Sequence, residues 1–420
     1  MPTRTEQPPR GGSPLALSIV TVTPESSPRP AKATRGESSK HLNALTGLRF
    51  LGSFIVVLYH FGRTATATSF PGLFPFLHGA AFVLQFFFIL SGFVLGHTYL
   101  TRNLIAREFY AKRLARVYPL YLLALVACAP SFIVQIPHGT LMQGIATAVS
   151  APLLLQSLSP ITAMTWNYPA WSVSVEVLFY GLFPVVRKYF LERSVRQSIL
   201  LVFGFWVTAL LPACIYSIVN PDHLAIMDTR SHELFETQEY AGWLGLLLHN
   251  PVFHVAEFLS GVALSRIFKS LRPQAVTRVR WLFWPTVCIL LAAAYVSGVI
   301  PYPIVHNGLM VPALTALILC CSVGDGLVVR FLGSRVFVLL GEASYAIYLL
   351  QYPVYLLFKS VYLTFTVGHP LGLLILKTPG LLASYLLLLV MISLAITQWV
   401  EPPLISAARL RIAQIFKVKA

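Results

Sequence analysis

Leu45-Thr46-Gly47-Leu48-Arg49-Phe50-Leu51-Gly52-Ser53-Phe54-Ile55-Val56-Val57-Leu58-Tyr59-His60 is an apolar run with a guanidinium near one end and an imidazole at the other. Carried on to residue 62, it reaches the ~17–25 residues that a membrane-spanning helix needs. Similar runs recur along the chain, at 79–100, 117–136, 172–190, 197–219, 243–267, 281–300, 307–323, 336–358 and 379–400. A further stretch, 140–158, reads as an eleventh span, an interfacial helix or a re-entrant segment. Composition agrees. Of 420 residues, 56% are hydrophobic and 11% charged, against about 25% charged in a soluble domain. Such a chain cannot cover a water-facing surface and must face lipid. The expected fold is an all-α polytopic transmembrane bundle of about ten spanning helices.

Charge sets the orientation. Basic clusters follow the second span (Arg102, Arg107, Lys112, Arg113, Arg116) and the fourth (Arg187, Lys188, Arg193, Arg196). Others lie at Lys269, Arg272, Arg278 and Arg280, and at Arg409, Arg411, Lys417 and Lys419. The loop 220–240 is acidic, with Asp222, Asp228, Glu233, Glu236 and Glu239 against Arg230. Ten crossings, with 140–158 not counted, put all four basic segments and both termini on the cytoplasmic side of a plasma (inner) membrane. Residues 1–40 read as a disordered Pro/Ser-rich basic tail, whose apolar run Leu15 to Val22 is too short to span. Residues 41–400 read as the membrane domain and 401–420 as a basic cytoplasmic tail. The net charge of +16 belongs to these orienting clusters, and no basic domain with interleaved aromatics exists to bind nucleic acid. Cys128, Cys214, Cys288, Cys320 and Cys321 lie in apolar runs with no metal or disulfide spacing and read as packing residues.

Ionisable groups within apolar spans cost ~2.5–3.5 kcal/mol each on insertion scales and are functional candidates by default. His60 follows Arg49 by eleven positions. At ~100° per residue the two share one helix face, about 16 Å apart along the axis. A guanidinium pairs with phosphate or carboxylate through parallel donors, and imidazole is the side chain best poised to take a proton near neutral pH. A donor with an anionic head and a long arm fits that spacing, gripped at Arg49 with its thioester at His60. The competing reading has Arg49 snorkelling to the interface and His60 capping the span. Arg113 and Arg116 share a helix face at i, i+3 and extend the phosphate-binding basin, unless they only anchor the chain to the positive side.

Pro169-Ala170-Trp171-Ser172-Val173-Ser174-Val175-Glu176 opens the next span. The topology puts Glu176 at a depth like that of His60, as a carboxylate to tune the imidazole or bind an acceptor hydroxyl. Otherwise Ser172 caps the helix and Glu176 faces its dipole. Glu257 and Glu342 are further buried acids, structural or functional. The histidines at 78, 97, 138, 223, 232, 249, 254, 306 and 369 fall near span ends or in loops and receive no role.

Taken in order, these elements resemble the acyltransferase-3 family of membrane O-acyltransferases. Leu42 to Arg49 through His60 is similar to its Arg-x10-His motif, and Gln85-Phe86-Phe87-Phe88-Ile89-Leu90-Ser91-Gly92-Phe93 to its second-helix signature. Arg113-Leu114-Ala115-Arg116 with Tyr118-Pro119 resembles its basic loop, and Trp171 to Glu176 with Phe179-Tyr180 and Phe183-Pro184 its Trp-Ser-x-Ser-x-Glu segment. Glu257-Phe258-Leu259-Ser260-Gly261 and Gly341 to Leu350 also fit. The chain departs from the pattern at Gln351, where the family often has His, and at Asn43, where it often has Asp. The resemblance implies an acyl-CoA donor substrate with no bound cofactor or metal. It also implies acceptors such as surface polysaccharide, lipid-linked sugar, peptidoglycan or metabolite glycoside. His60, Arg49 and Glu176 are then the catalytic candidates. Arg49, Arg113 and Arg116 bind the donor, and Trp171, Ser172 and Glu176 line the acceptor side. The rival class is a transporter or exporter of a glycan or lipid, against which stands the lack of visible repeats, of broken helices and of an ATP-binding motif.

Overall fold

The computed structural model describes residues 35–135, 140–224, 242–366 and 376–416. Most of the N-terminal tail, with its Leu15 to Val22 run, falls outside them. So do Asp228, Arg230, Glu233, Glu236 and Glu239, His138, His232 and His369, and Lys417 and Lys419. Among the described residues there are helices and no strands. The principal helices are α1 (Arg35–Phe61), α2 (Ala81–Tyr99), α3 (Ala106–Gln135), α4 (Trp171–Leu191), α5 (Val195–Val219) and α6 (Val255–Lys269). They continue with α7 (Phe283–Val296), α8 (Val311–Val323), α9 (Ser344–Thr366), α10 (Pro379–Ala395) and α11 (Glu401–Phe416).

Eight helical stretches among the described residues are long and apolar enough to cross a membrane, and the chain is a multi-pass membrane protein. Two of the ten expected spans are not among them. The run 243–267 is broken where Asn250 precedes Pro251: Asn250 is extended, as a residue before proline must be, and its side chain accepts from Val252 N at 3.0 Å. The run 336–358 divides into Arg335–Glu342 and α9. The ambiguous stretch 140–158 holds a helix of ten residues, Leu141–Ser150, only about 15 Å long and so half the hydrocarbon core. Residues 401–416, expected as part of a tail, form α11 along α3.

Lipid-facing and interior helices differ in their surfaces. Along α5, Ile199, Leu200, Phe203, Val207, Leu211, Ile215 and Ile218 are all exposed, a face only hydrocarbon can cover. By contrast α2 lies against α6 with almost nothing between the backbones. A Cβ on Gly92 would run into the Phe258 carbonyl, and one on Gly261 into that of Ile89. Without a hydrophobic drive between helices in lipid, such small-residue contacts supply the attraction through close packing. The crossing holds Ser91 and Glu257 deep in the bundle. Of the cysteines, Cys128, Cys320 and Cys321 are buried as expected, whereas Cys288 is exposed on α7. Glu342 is exposed too, against the expectation of a buried acid.

One end of the bundle gathers the basic loops. Arg187 Nη1 donates to the carbonyls of Tyr99 and Arg102 at 3.1 and 2.8 Å. Arg266 Nε donates to the Arg193 carbonyl at 3.0 Å, and Lys269 Nζ to Thr101 Oγ1 at 3.3 Å.

Candidate active site

Arg49 and His60 both project from α1 into the protein, where they meet different partners. Arg49 interacts electrostatically with Arg116, Glu176, Tyr180 and Glu401. Glu176 is anchored twice at one oxygen: Oε1 accepts from Ser91 Oγ at 2.9 Å and from Tyr180 OH at 2.7 Å. Residues 172, 176 and 180 follow one another at i, i+4 and so line one face of α4. Glu176 therefore stands with Arg49 and shows no contact with His60.

Arg113 and Arg116, also i, i+3 on α3, both act on Tyr180 but differ in setting. Arg116 is exposed. Arg113 lies among the rings of Tyr99, Phe109 and Tyr180, at 5.4, 5.7 and 5.8 Å, an arrangement that favours a cation over π faces. Its Nε is sealed from solvent with no hydrogen-bond partner among the described residues. Glu401, the first residue of α11, interacts with both Arg116 and Arg49. It follows a π-helical turn, Ile396–Val400, a device frequent at functional sites. Nothing in the sequence marked it, since a charged residue next to Pro402-Pro403 reads as the end of a span.

At the other end, His60 Nδ1 is 2.8 Å from Gln351 Oε1. Its ring meets Tyr168 edge-on, with centroids 5.0 Å apart. Gln351 is fully buried and belongs to α9, whose Pro353 has no N–H to offer the carbonyl of Leu349. Asn167 Nδ2 takes that carbonyl at 3.1 Å, and Tyr385 OH donates to the Gln351 carbonyl at 2.8 Å. One turn before Gln351, Tyr348 OH pairs with Ser172 Oγ at 2.7 Å and interacts with Glu176. Glu176 interacts with both Arg49 and Tyr348, and Gln351 joins the Tyr348 carbonyl to His60.

Trp171 and Ser174 serve other neighbours. Ser174 Oγ donates to the Leu154 carbonyl at 2.6 Å and pairs with Ser157, fixing the loop ahead of α4. Trp171 is ringed by three buried imidazoles: His249, His254 and His306, at centroid distances of 4.8, 5.7 and 6.0 Å. His254 contacts Glu257 at 3.1 Å and the Leu248 carbonyl at 2.9 Å through its two nitrogens. Gly308 N donates to the other Glu257 oxygen. In the sequence these histidines fall near span ends or in loops, and nothing there marks their convergence on Trp171. Among the described residues no group of three or more His, Cys, Asp or Glu is set to hold a metal ion.

A helical membrane bundle with a guanidinium and an imidazole of one helix turned into its interior is an integral-membrane protein with a polar interior site. A family model described as an acyltransferase domain matches residues 42–398. The chain belongs to this family, acyltransferase-3, and is an acyltransferase. It is similar to acyltransferase MdmB of Streptomyces mycarofaciens, at 28% identity over 74% of this chain and 78% of the relative. It is also similar to peptidoglycan O-acetyltransferase OatA of Listeria monocytogenes, at 22% identity over 77% of this chain and 50% of the relative. The O-acetyltransferase OatA of Staphylococcus aureus is 23% identical over 75% of this chain and 51% of the relative. The match spans about half the length of the OatA proteins. No solved structure matches the chain.

Proposed function

We propose that the protein moves an acyl group, acetyl foremost, from acyl-CoA at the cytoplasmic face to a hydroxyl. The acceptor is a carbohydrate, a cell-surface glycan or a glycosylated metabolite. The reading sets both termini in the cytoplasm and the bundle in the plasma (inner) membrane, supported by the gathering of basic loops at one end of the bundle. The observation that carries it is the interior stripe of α1: Arg49 among charged partners, His60 against an amide, and polar side chains between. The ~16 Å separating them suits a donor whose phosphates lie far from its thioester. The names of the OatA relatives support acetyl and an oxygen acceptor.

In this reading Arg49, Arg113 and Arg116 hold the donor's phosphates, with Glu176 positioning Arg49. Trp171 and Ser172 stay on the acceptor side, and the lipid bilayer is the protein's medium. His60 takes the proton of the acceptor hydroxyl as that oxygen bonds to the thioester carbonyl carbon. The C–S bond then breaks, and the leaving thiolate takes the proton from the imidazolium, giving ester and free thiol. A variant route has the imidazole carry the acyl group first, which a single-turnover acyl-enzyme signal separates from direct transfer.

The test is purified protein with labelled acetyl-CoA and a glycoside, joined to mass spectrometry of surface glycans and extractable metabolites with and without the gene. Label in an ester on the acceptor, and an acyl mass lost on deletion, are expected. No label transferred and no acyl mass lost would overturn the reading.

A further inference from the structure

The hydrogen bonds around Gln351 fix more than a position. Its Nε2 lies 2.7 Å from the carbonyl of Tyr348, and a carbonyl can only accept. The amide nitrogen therefore points at Tyr348 and the amide oxygen at His60. With the amide reversed, two acceptor oxygens would face each other at hydrogen-bond distance, uncompensated in a fully buried site. An amide oxygen also only accepts, so the hydrogen in the 2.8 Å contact with His60 sits on Nδ1 of the imidazole. Among the described residues no carboxylate forms an ion pair with His60. A neutral ring held in this way carries its one hydrogen on Nδ1 and a lone pair on Nε2.

We propose that Gln351 is a positioning residue that holds His60 as the Nδ1–H tautomer and so keeps Nε2 ready for the proton of the acceptor hydroxyl. The inference rests on the reading of His60 as the base. It adds the tautomer, the nitrogen that reacts and the residue that selects them. The amide is itself locked: Tyr385 holds the Gln351 carbonyl, and Asn167 holds the turn that Pro353 opens. Rotating the ring to offer Nδ1 would break the bond to Oε1 and turn the lone pair toward a site built to accept.

Two variants and one spectrum test this. Gln351→Met fills nearly the same volume with neither donor nor acceptor. Gln351→His restores both, because a neutral imidazole offers one acceptor and one donor with about the spacing of an amide's oxygen and nitrogen. The Met variant should lose on the order of 10–100-fold in kcat, the size of loss seen when a partner that orients a metal-ligating imidazole is removed. Its donor KM should stay within about twofold, and the His variant should recover most of the kcat, reflecting the restored hydrogen bonds. Nitrogen-15 spectra of histidine-labelled protein in nanodiscs, with His60 assigned by subtracting His60→Asn, should show protonated Nδ1 and bare Nε2. In the Met variant the tautomers should mix. A purely structural Gln351 would lower the yield of folded protein and leave the tautomer and the kcat per folded molecule untouched. A wild-type spectrum with hydrogen on Nε2, or a Met variant with unchanged kcat, overturns the proposal. Full activity of His60→Ala overturns the reading beneath it, whatever the spectrum shows.

Discussion

The surroundings of Arg49 and of His60, two points on α1, are made of different material. Around Arg49 stand Arg116, Glu176 and Glu401, an array of opposite charges that a polyanion can enter by exchanging partners. Around His60 stand an amide and aromatic rings, with no ion pair to it among the described residues. A charged environment suits gripping and release of an anion. A neutral one keeps an imidazole uncharged until the reaction brings it a proton. The lesson is a division of labour along a single helix, and each end predicts its own kinetic signature.

The largest effect falls at the neutral end. His60→Ala should cut turnover by about 10²–10⁴-fold, the usual contribution of a positioned base, while acetyl-CoA binding measured by titration stays as before. Loss of donor binding instead would move His60 to the gripping end and dissolve the contrast. Next, Arg49→Ala should lower kcat/KM about 10–100-fold through donor KM, matching one charge-assisted hydrogen bond of ~1.5–3 kcal/mol. With S-acetylpantetheine, which lacks the phosphates, the same substitution should cost little. Equal losses with both donors would show that Arg49 does not read phosphate.

Glu176 decides where the boundary between the ends lies. Because Ser91 and Tyr180 aim it toward Arg49, Glu176→Gln should raise donor KM by several fold, about that of one weakened charge contact, with acceptor KM unchanged. The reverse result would return it to the acceptor side. The smallest effect belongs to Glu401, which is partly exposed and therefore screened. Glu401→Gln should alter donor KM about twofold, and raising the salt should erase the difference.

Much of this was legible in the residues. Lipid exposure followed from charge poverty, and the Arg49–His60 stripe from helical arithmetic, because both depend on one segment at a time. What the sequence left open was pairing across segments. Glu176 and His60 looked level in depth, yet Glu176 interacts with Arg49. Gln351 stood out only as a departure from the family pattern, and its contact with His60 needed two helices set side by side. Glu401 was hidden by a boundary drawn at hydropathy's edge. Of the two expected spans that are not continuous apolar helices, 243–267 is broken at Pro251 and holds Glu257, and 336–358 divides before α9 and holds Gln351.

The bond between His60 and Gln351 joins residues 291 positions apart in sequence. At ~5–20 residues per second of synthesis, the first membrane helix waits roughly 15–60 s for the amide that holds its imidazole. The nascent chain therefore inserts most of its length before the imidazole of its first membrane helix meets the amide that orients it.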